Sequence, residues 1–385
     1  MKKIIFVTGA RSEYDLLYSV LKKLNQLAEI DLSILVTGAH LSEQFGKTLV
    51  HIEQDGFKIA DKVYNLVDTN EKIGRVISLG HQIPAFAQTF IRLKPDVVMV
   101  AGDREEAIST AITAAYMGIV VAHFFGGDIA KDGNIDNSVR YATSKFAHLH
   151  FTTHPAHADV LRRLGEEPER IFVVGNPALD RFLETPVLDR QALSTALQFD
   201  ITQGNYLVLV QHAIITEYAQ SAVNIRQTLD AIVATGCNCL INYPNSDAGN
   251  YEIIKAYQEY AQKYPQLFLF QNLERTLFIN VLRHAACLVG NSSLGILEAP
   301  SLGLPVVNVG SRQRGRLNAG NVIFTDYDTT QILAAIQQSL FDMAYRQSIK
   351  NIVNPYGDGH SAEKIVTILK NLVIDEKVIY KNITY

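Results

Sequence analysis

The chain has 385 residues, 48% of them apolar, and a formal net charge of −4. That length exceeds what one hydrophobic core usually holds, so two domains are expected. The acidic balance and the lack of a basic cluster argue against nucleic acid as a partner, and no apolar run approaches the roughly eighteen residues of a membrane span, so a soluble protein is expected.

The chain opens MKKIIFVTGARSEYD. Two lysines precede a short apolar run, as in a signal peptide, yet Gly9, Arg11, Glu13 and Asp15 stand where a longer apolar region and cleavage site belong. The segment therefore reads as a first strand, and a cytoplasmic location is expected. Cys237, Cys239 and Cys287 are odd in number and lack metal-site spacing, which agrees with a reducing compartment.

Short β-branched runs then alternate with amphipathic patterns. Ile4–Val7, Leu32–Val36, Val97–Val100, Ile119–Ala122, His148–Phe151 and Ile171–Val174 read as strands, with helices near 13–26, 41–54, 72–93, 104–117, 137–147 and 155–164. After a segment from Asn176-Pro177 to Pro186, the pattern resumes with strands at Tyr206–Val210, Asn238–Asn242, Leu267–Phe270, Cys287–Val289, Val306–Val309 and Val322–Phe324. Apolar strands separated by helices mean parallel sheets covered on both faces, so the expected fold is α/β, two doubly wound domains over 1–178 and 179–360. A last helical pattern runs from Ala362 to Leu372 behind Ser361. Neither G-x-G-x-x-G nor a Walker A sequence occurs, which removes the main support for dinucleotide or P-loop chemistry.

Ligands in such sheets bind at the carboxyl ends of strands. After the first strand comes Thr8-Gly9-Ala10-Arg11-Ser12-Glu13-Tyr14-Asp15, where Arg11 suits either a phosphate or an ion pair with Glu13 or Asp15. Gly102-Asp103-Arg104 ends another strand, with Asp103 open to a helix-capping or a catalytic role. Asp128 follows the next strand, and Asp136 closes the loop beyond it. Three aspartates gathered at one rim would raise one another's pKa and separate an acid from a base, which points to acid–base work. His148, His150 and His154 lack a completing ligand set, so no metal is expected there. In the second half His212 ends a strand, and Asn245 follows the next with a donor and an acceptor for a planar base or a turn. Gly290 to Arg316 reads strand, loop, helix, strand. Ser292 and Ser293 in a first helical turn suit a phosphate, and Glu298, roughly 7–8 Å further along a helix, could reach an attached sugar; an ordinary capped helix is the alternative.

Gly102-Asp103-Arg104, the run Asp136-Asn137-Ser138-Val139-Arg140-Tyr141-Ala142-Thr143-Ser144-Lys145, and Gly290-Asn291-Ser292-Ser293 through Arg312-Gln313-Arg314-Gly315-Arg316 together make the chain resemble the hydrolysing UDP-N-acetylglucosamine 2-epimerases of sialic- and legionaminic-acid-type sugar synthesis. The likeness runs nearly end to end. It implies a GT-B-like fold, two Rossmann-like domains facing a cleft, with the C-terminal helix, 361–385, joining the first domain. It implies a UDP-sugar substrate, no cofactor, and a homodimer or homotetramer. By the same resemblance Asp103, Asp128 and Asp136 match catalytic carboxylates, and His212 and Arg104 match substrate-contacting residues. Arg11, Ser292 and Ser293 would hold the diphosphate, Glu298 the ribose, Asn245 would lie near the uracil, and Arg312 matches an arginine of the nucleotide-sugar site. The family often has Glu at Asp128 and Arg-His at Arg140-Tyr141. The expected reaction converts UDP-N-acetylglucosamine and water to N-acetylmannosamine and UDP through a 2-acetamidoglycal. The alternatives are the same chemistry on a UDP-2,4-diacetamido-2,4,6-trideoxyhexose, and a GT-B glycosyltransferase.

Overall fold

The computed structural model describes residues 1–384 apart from 68, 70, 72, 129–134 and 246–248. Among the described residues, seven parallel strands form one sheet: β1 (Lys2–Thr8), β2 (Ile30–Thr37), β3 (Ile59–Val63), β4 (Val97–Ala101), β5 (Val120–Phe124), β6 (Leu149–Thr152) and β7 (Ile171–Val173), in the order β3-β2-β1-β4-β5-β6-β7. Six more parallel strands form a second: β8 (Tyr206–Val210), β9 (Asn238–Asn242), β10 (Leu267–Phe270), β11 (Cys287–Gly290), β12 (Val306–Val309) and β13 (Val322–Thr325), in the order β10-β9-β8-β11-β12-β13. Each order reverses once, the mark of a doubly wound sheet.

Both sheets are buried on both faces, as near-continuous apolar strands require. In β1, Ile4 and Phe6 enter one core while Ile5 and Val7 enter the other. In β8, Leu207 and Leu209 face one side and Tyr206, Val208 and Val210 the other. Two expectations need correction. β3 went unforeseen, because Ile-Ala-Asp-Lys-Val is a charged edge strand in which only Val63 is buried. The helix expected over 41–54 is confined to Leu49–Gln54, because the chain turns at Lys47, whose φ of 45° is left-handed.

The chain divides into two compact units. The first comprises Met1–Ile129, Ile135–Arg181 and Tyr356–Tyr385, and the second is built on Phe182–Pro355. In the first unit the helix Ser361–Asn371 places Ala362, Ile365 and Leu369 in the core that holds Ile4 and Phe6. Its N-terminus is held from a distance: the N–H groups of Ser361 and Ala362 donate to the two oxygens of Asp180 at 3.0 and 2.8 Å. A carboxylate there satisfies orphan donors and complements the dipole.

Candidate active site

In the first unit the strand order reverses between β1 and β4. Arg11 follows β1, Asp103 and Arg104 follow β4, Asp128 follows β5, and Asp136 opens the helix Asp136–Phe146. One turn after Asp136, on the same face, that helix carries Arg140. The Arg140 guanidinium pairs with Asp103 through one nitrogen, and its Nη1 lies 3.3 Å from Asp128 Oδ2. The like-charge repulsion expected between these carboxylates is therefore offset by a cation that bridges them. The other oxygen of Asp128 faces His157, with Nε2 at 3.6 Å from Oδ1, and His157 Nδ1 lies 3.0 Å from Thr153 Oγ1. Asp128 and His157 are buried, whereas Asp103 and Asp136 are partly exposed. A carboxylate pair ordered by a guanidinium, with one member also facing an imidazole, can orient and move protons.

The turn after β1 is arranged differently from a phosphate-binding loop. Gly9 and Ala10 donate their N–H groups to Glu13 Oε2 at 2.9 and 3.3 Å, so the chain's own carboxylate occupies the donors an anion would use. Burial pushes the Glu13 carboxyl up to about 8, and the charge of Glu106 adds to this against Arg104 and the two N–H groups. Burial also raises Glu106, opposed by Arg104, whose Nε lies 3.9 Å from Glu106 Oε2. Arg11 lies 3.4 Å from Asp15, which also accepts from Arg181 at 2.8 Å. The ion-pair alternative for Arg11 is thus formed, and a phosphate would meet its side chain rather than the loop amides.

The histidines near β6 serve the core. Val121 N–H donates to His148 Nδ1 at 3.0 Å, and His150 Nε2 lies 3.0 Å from Glu166. His123, lowered to about 3 by burial, bridges Gly102 O at 2.8 Å and Ser144 Oγ at 3.0 Å. It ties the Asp103 turn to the Arg140 helix.

In the second unit the order reverses between β8 and β11; His212 follows β8, Asn245 follows β9, Asn291 follows β11 and Arg312 follows β12. Gly290 has φ +123°, and a Cβ there would come within 2.2 Å of Val210 O, so only glycine lets these strand ends touch. The next residue, Asn291, is fully buried: its Oδ1 accepts from His212 N–H at 2.7 Å and its Nδ2 donates to His212 O at 2.9 Å. Asn245 N–H donates to His212 Nδ1 at 3.0 Å, which leaves the neutral ring's proton on Nε2. Arg312 Nη1 and Gln313 Nε2 both donate to Asn291 O, at 3.3 and 3.0 Å. Asn291 thus joins His212 to Arg312, and the His212 ring in turn holds Asn245. Residues 246–248 of the Asn245 loop lie outside the described residues.

The helix expected through Glu298 is only one turn, Leu294–Leu297, followed by a 3-10 turn at Ala299–Leu302. Pro300 explains the break, since it has no N–H to donate to the carbonyl four residues back and its ring crowds that carbonyl, so an α-helix cannot continue through it. One turn supplies little macrodipole, so an anion here would rely on backbone N–H groups and on hydroxyls such as Ser292, whose Oγ accepts from Leu294 N–H at 3.3 Å. Ser293 stands at the N-cap, and Glu298 is buried at the junction of the two turns.

Arg140, Asn291 and Glu106 have no local sequence pattern that points to a role, and Glu13, a possible partner of Arg11 from the sequence, binds the Gly9 and Ala10 amides instead. His157 carried a usable signal, because it sits in the first turn after β6, on the rim that bears the aspartates.

Residues 22–370 match the sequence profile of the UDP-N-acetylglucosamine 2-epimerase family. The chain is 35% identical over 99% of both chains to a UDP-N,N'-diacetylbacillosamine 2-epimerase (hydrolyzing) of Legionella pneumophila. It is 33% identical, over 99% of this chain and 98% of the other, to a GDP/UDP-N,N'-diacetylbacillosamine 2-epimerase (hydrolyzing) of Campylobacter jejuni. It is 30% identical, over 88% of each, to a UDP-N-acetylglucosamine 2-epimerase of Neisseria meningitidis. In fold it matches the crystal structure of a Neisseria meningitidis UDP-GlcNAc 2-epimerase bound to UDP-GlcNAc, with TM-score 0.81, 21% identity, and coverage of 96% of this chain and 100% of that one.

Proposed function

Because the chain belongs to the UDP-N-acetylglucosamine 2-epimerase family and is a UDP-sugar 2-epimerase, we propose that it hydrolyses a UDP-2,4-diacetamido-2,4,6-trideoxyhexose while inverting C2. The observation that carries the reaction class to this chain's own residues is the Arg140 bridge between Asp103 and Asp128 at adjacent strand ends. The sugar is favoured over UDP-N-acetylglucosamine by the two relatives named for UDP-N,N'-diacetylbacillosamine. Asp128, one methylene shorter than the glutamate common in the family, is proposed to widen the sugar pocket enough for a second acetamido group. UDP-N-acetylglucosamine, the substrate expected from sequence, is the second reading, supported by the Neisseria relative.

In the proposed reaction the bond from C1 to the β-phosphate oxygen breaks and its electron pair leaves with UDP. The C2 proton passes to a carboxylate, and its electron pair becomes the C1–C2 double bond of a 2-acetamidoglycal. Water then adds its oxygen at C1 while a proton returns to C2 from the opposite face, so UDP-sugar and water yield UDP and the free epimer. The C2 hydrogen is acidic only once the C1 bond is well stretched, so stabilising the leaving diphosphate comes first. Arg11, Arg312, Ser292 and Ser293 are proposed for that task, with Glu298 toward the ribose and Asn245 toward the uracil. Asp128 and Asp136 are proposed as the acid–base pair at C2, with Asp103 orienting the sugar or activating water. Arg104 and His212 are proposed to contact the substrate, His212 as a donor from Nε2.

The test is incubation in D2O with UDP-N,N'-diacetylbacillosamine and, separately, with UDP-N-acetylglucosamine. The expected products from the first are UDP and a free 2,4-diacetamido-2,4,6-trideoxymannose carrying deuterium at C2, with at least roughly tenfold slower turnover of the second. Faster release of deuterated N-acetylmannosamine would replace the first substrate by the second. Release of UDP only when an acceptor alcohol is added would mean glycosyl transfer.

A further inference from the structure

The two oxygens of Asp128 have different partners. Oδ2 lies 3.3 Å from Nη1 of Arg140, whose Nη2 pairs with Asp103, and Oδ1 lies 3.6 Å from His157 Nε2. The geometry points to His157 as a positioning residue for Asp128: it holds one carboxylate oxygen so that the group keeps a single orientation toward the carbon whose proton it moves. This rests on the epimerase reading of the site.

Several features make His157 rigid. It occupies the first turn of the helix Pro155–Arg163, which His154 caps by accepting from Ala156 N–H at 3.1 Å. Thr153 Oγ1 sits 3.0 Å from Nδ1, and as both donor and acceptor it suits either the neutral ring or the imidazolium. The rings of Tyr356 and His154 flank the imidazole, each with its centroid 5.9 Å away. The Asp128 loop rests directly on this helix, because a Cβ on Gly127, whose φ is +80°, would come within 2.1 Å of His157 O. Asp128 and His157 are therefore fixed to one another through backbone as well as side chain. Among the described residues, the charged and titratable groups about them include Arg140 with Asp103 behind it, Tyr141, His154 and Tyr356; Tyr141 is raised by burial, with Asp128 adding to this and Arg140 and Arg163 opposing.

A packing role and a positioning role predict different results. His157→Leu fills the space but removes the Nε2 donor, whereas His157→Gln can still donate to Asp128. In His157→Leu, kcat and the rate of deuterium entry at C2 are expected to fall together by about tenfold or more while KM stays within about twofold. His157→Gln should restore most of the loss. Unchanged kcat in His157→Leu overturns the proposal, as does an equal loss in both variants accompanied by a matching drop in Tm. A second measurement needs no turnover: the ring signals of His157, titrated by NMR in the full-length protein, should have a higher midpoint in wild type than in Asp128→Asn. An unchanged midpoint overturns the pairing itself. Wild-type protein that releases UDP from neither UDP-sugar overturns the functional reading and the role built on it, and the NMR comparison still decides whether the pair exists.

Discussion

Glu13 shows how one side chain can close a site that a fold usually leaves open. In a doubly wound sheet the turn after the first strand offers backbone N–H groups to anions, and here Glu13 takes those of Gly9 and Ala10. Its carboxyl sits near 8 instead of its ordinary 4.5, through burial and the neighbouring Glu106. The folded state therefore binds this proton more tightly than the unfolded chain. The associated stability is complete below about 4.5 and is lost as pH rises through about 8. Glu13→Gln, which stays uncharged, should gain on the wild type between pH 5 and 8 in urea unfolding midpoints; a constant difference across that range would show that Glu13 ionises as readily in the fold as outside it. Asp103, Asp128 and His212 could be singled out from sequence because each ends a strand. Arg140 has no such local sign, and His157, though it too follows a strand, does not name its partner, because only the sheet order brings either of them to the aspartates.

The helix Asp136–Phe146 holds its residues in place through its far end. Lys381 donates to Ser144 O, Lys145 O and Ala147 O at 3.0, 2.9 and 2.8 Å, capping the last turn with a cation where the dipole is negative. It also pairs with buried Glu166 at 2.5 Å. Burial would raise Glu166, but His150 and Lys381 outweigh it and hold the carboxyl down to about 2. Arg170 fastens the same tail, donating to Lys377 O, Val378 O and Tyr380 O at 2.6, 2.7 and 2.9 Å. Lys381→Met should cost about 3 kcal/mol in urea unfolding at pH 7, since it removes one cation from a buried carboxylate and uncaps the helix. A loss under about 1 kcal/mol would mean that Lys145, 3.0 Å from Glu166, compensates. The helix itself was read from sequence within a residue. Its cap was not, because a lone lysine near the C-terminus carries no local pattern.

At the scale of the molecule, the first unit is assembled from distant parts of the chain, residues up to 181 and from 356 onward. Ala362, Ile365 and Leu369 complete its core. Ending the chain after Pro355 should therefore leave the amides of β1, β2 and β4 exchanging rapidly while β8 to β12 keep their protection, as read by hydrogen exchange. Equal protection of both sheets would show that the first unit is stable without its C-terminal segment. Apolar strands alternating with amphipathic helices, by themselves, determined two parallel doubly wound sheets, because that periodicity is a local property of the chain. They also placed polar residues at strand ends, where such sheets bind ligands. Tertiary structure alone decided that Arg140 stands between Asp103 and Asp128, that Glu13 occupies the first turn, and that Asn291 joins Arg312 to His212, which holds Asn245. Those contacts depend on strand order and on burial, which set both the distance between charges and the cost of leaving any of them unpaired.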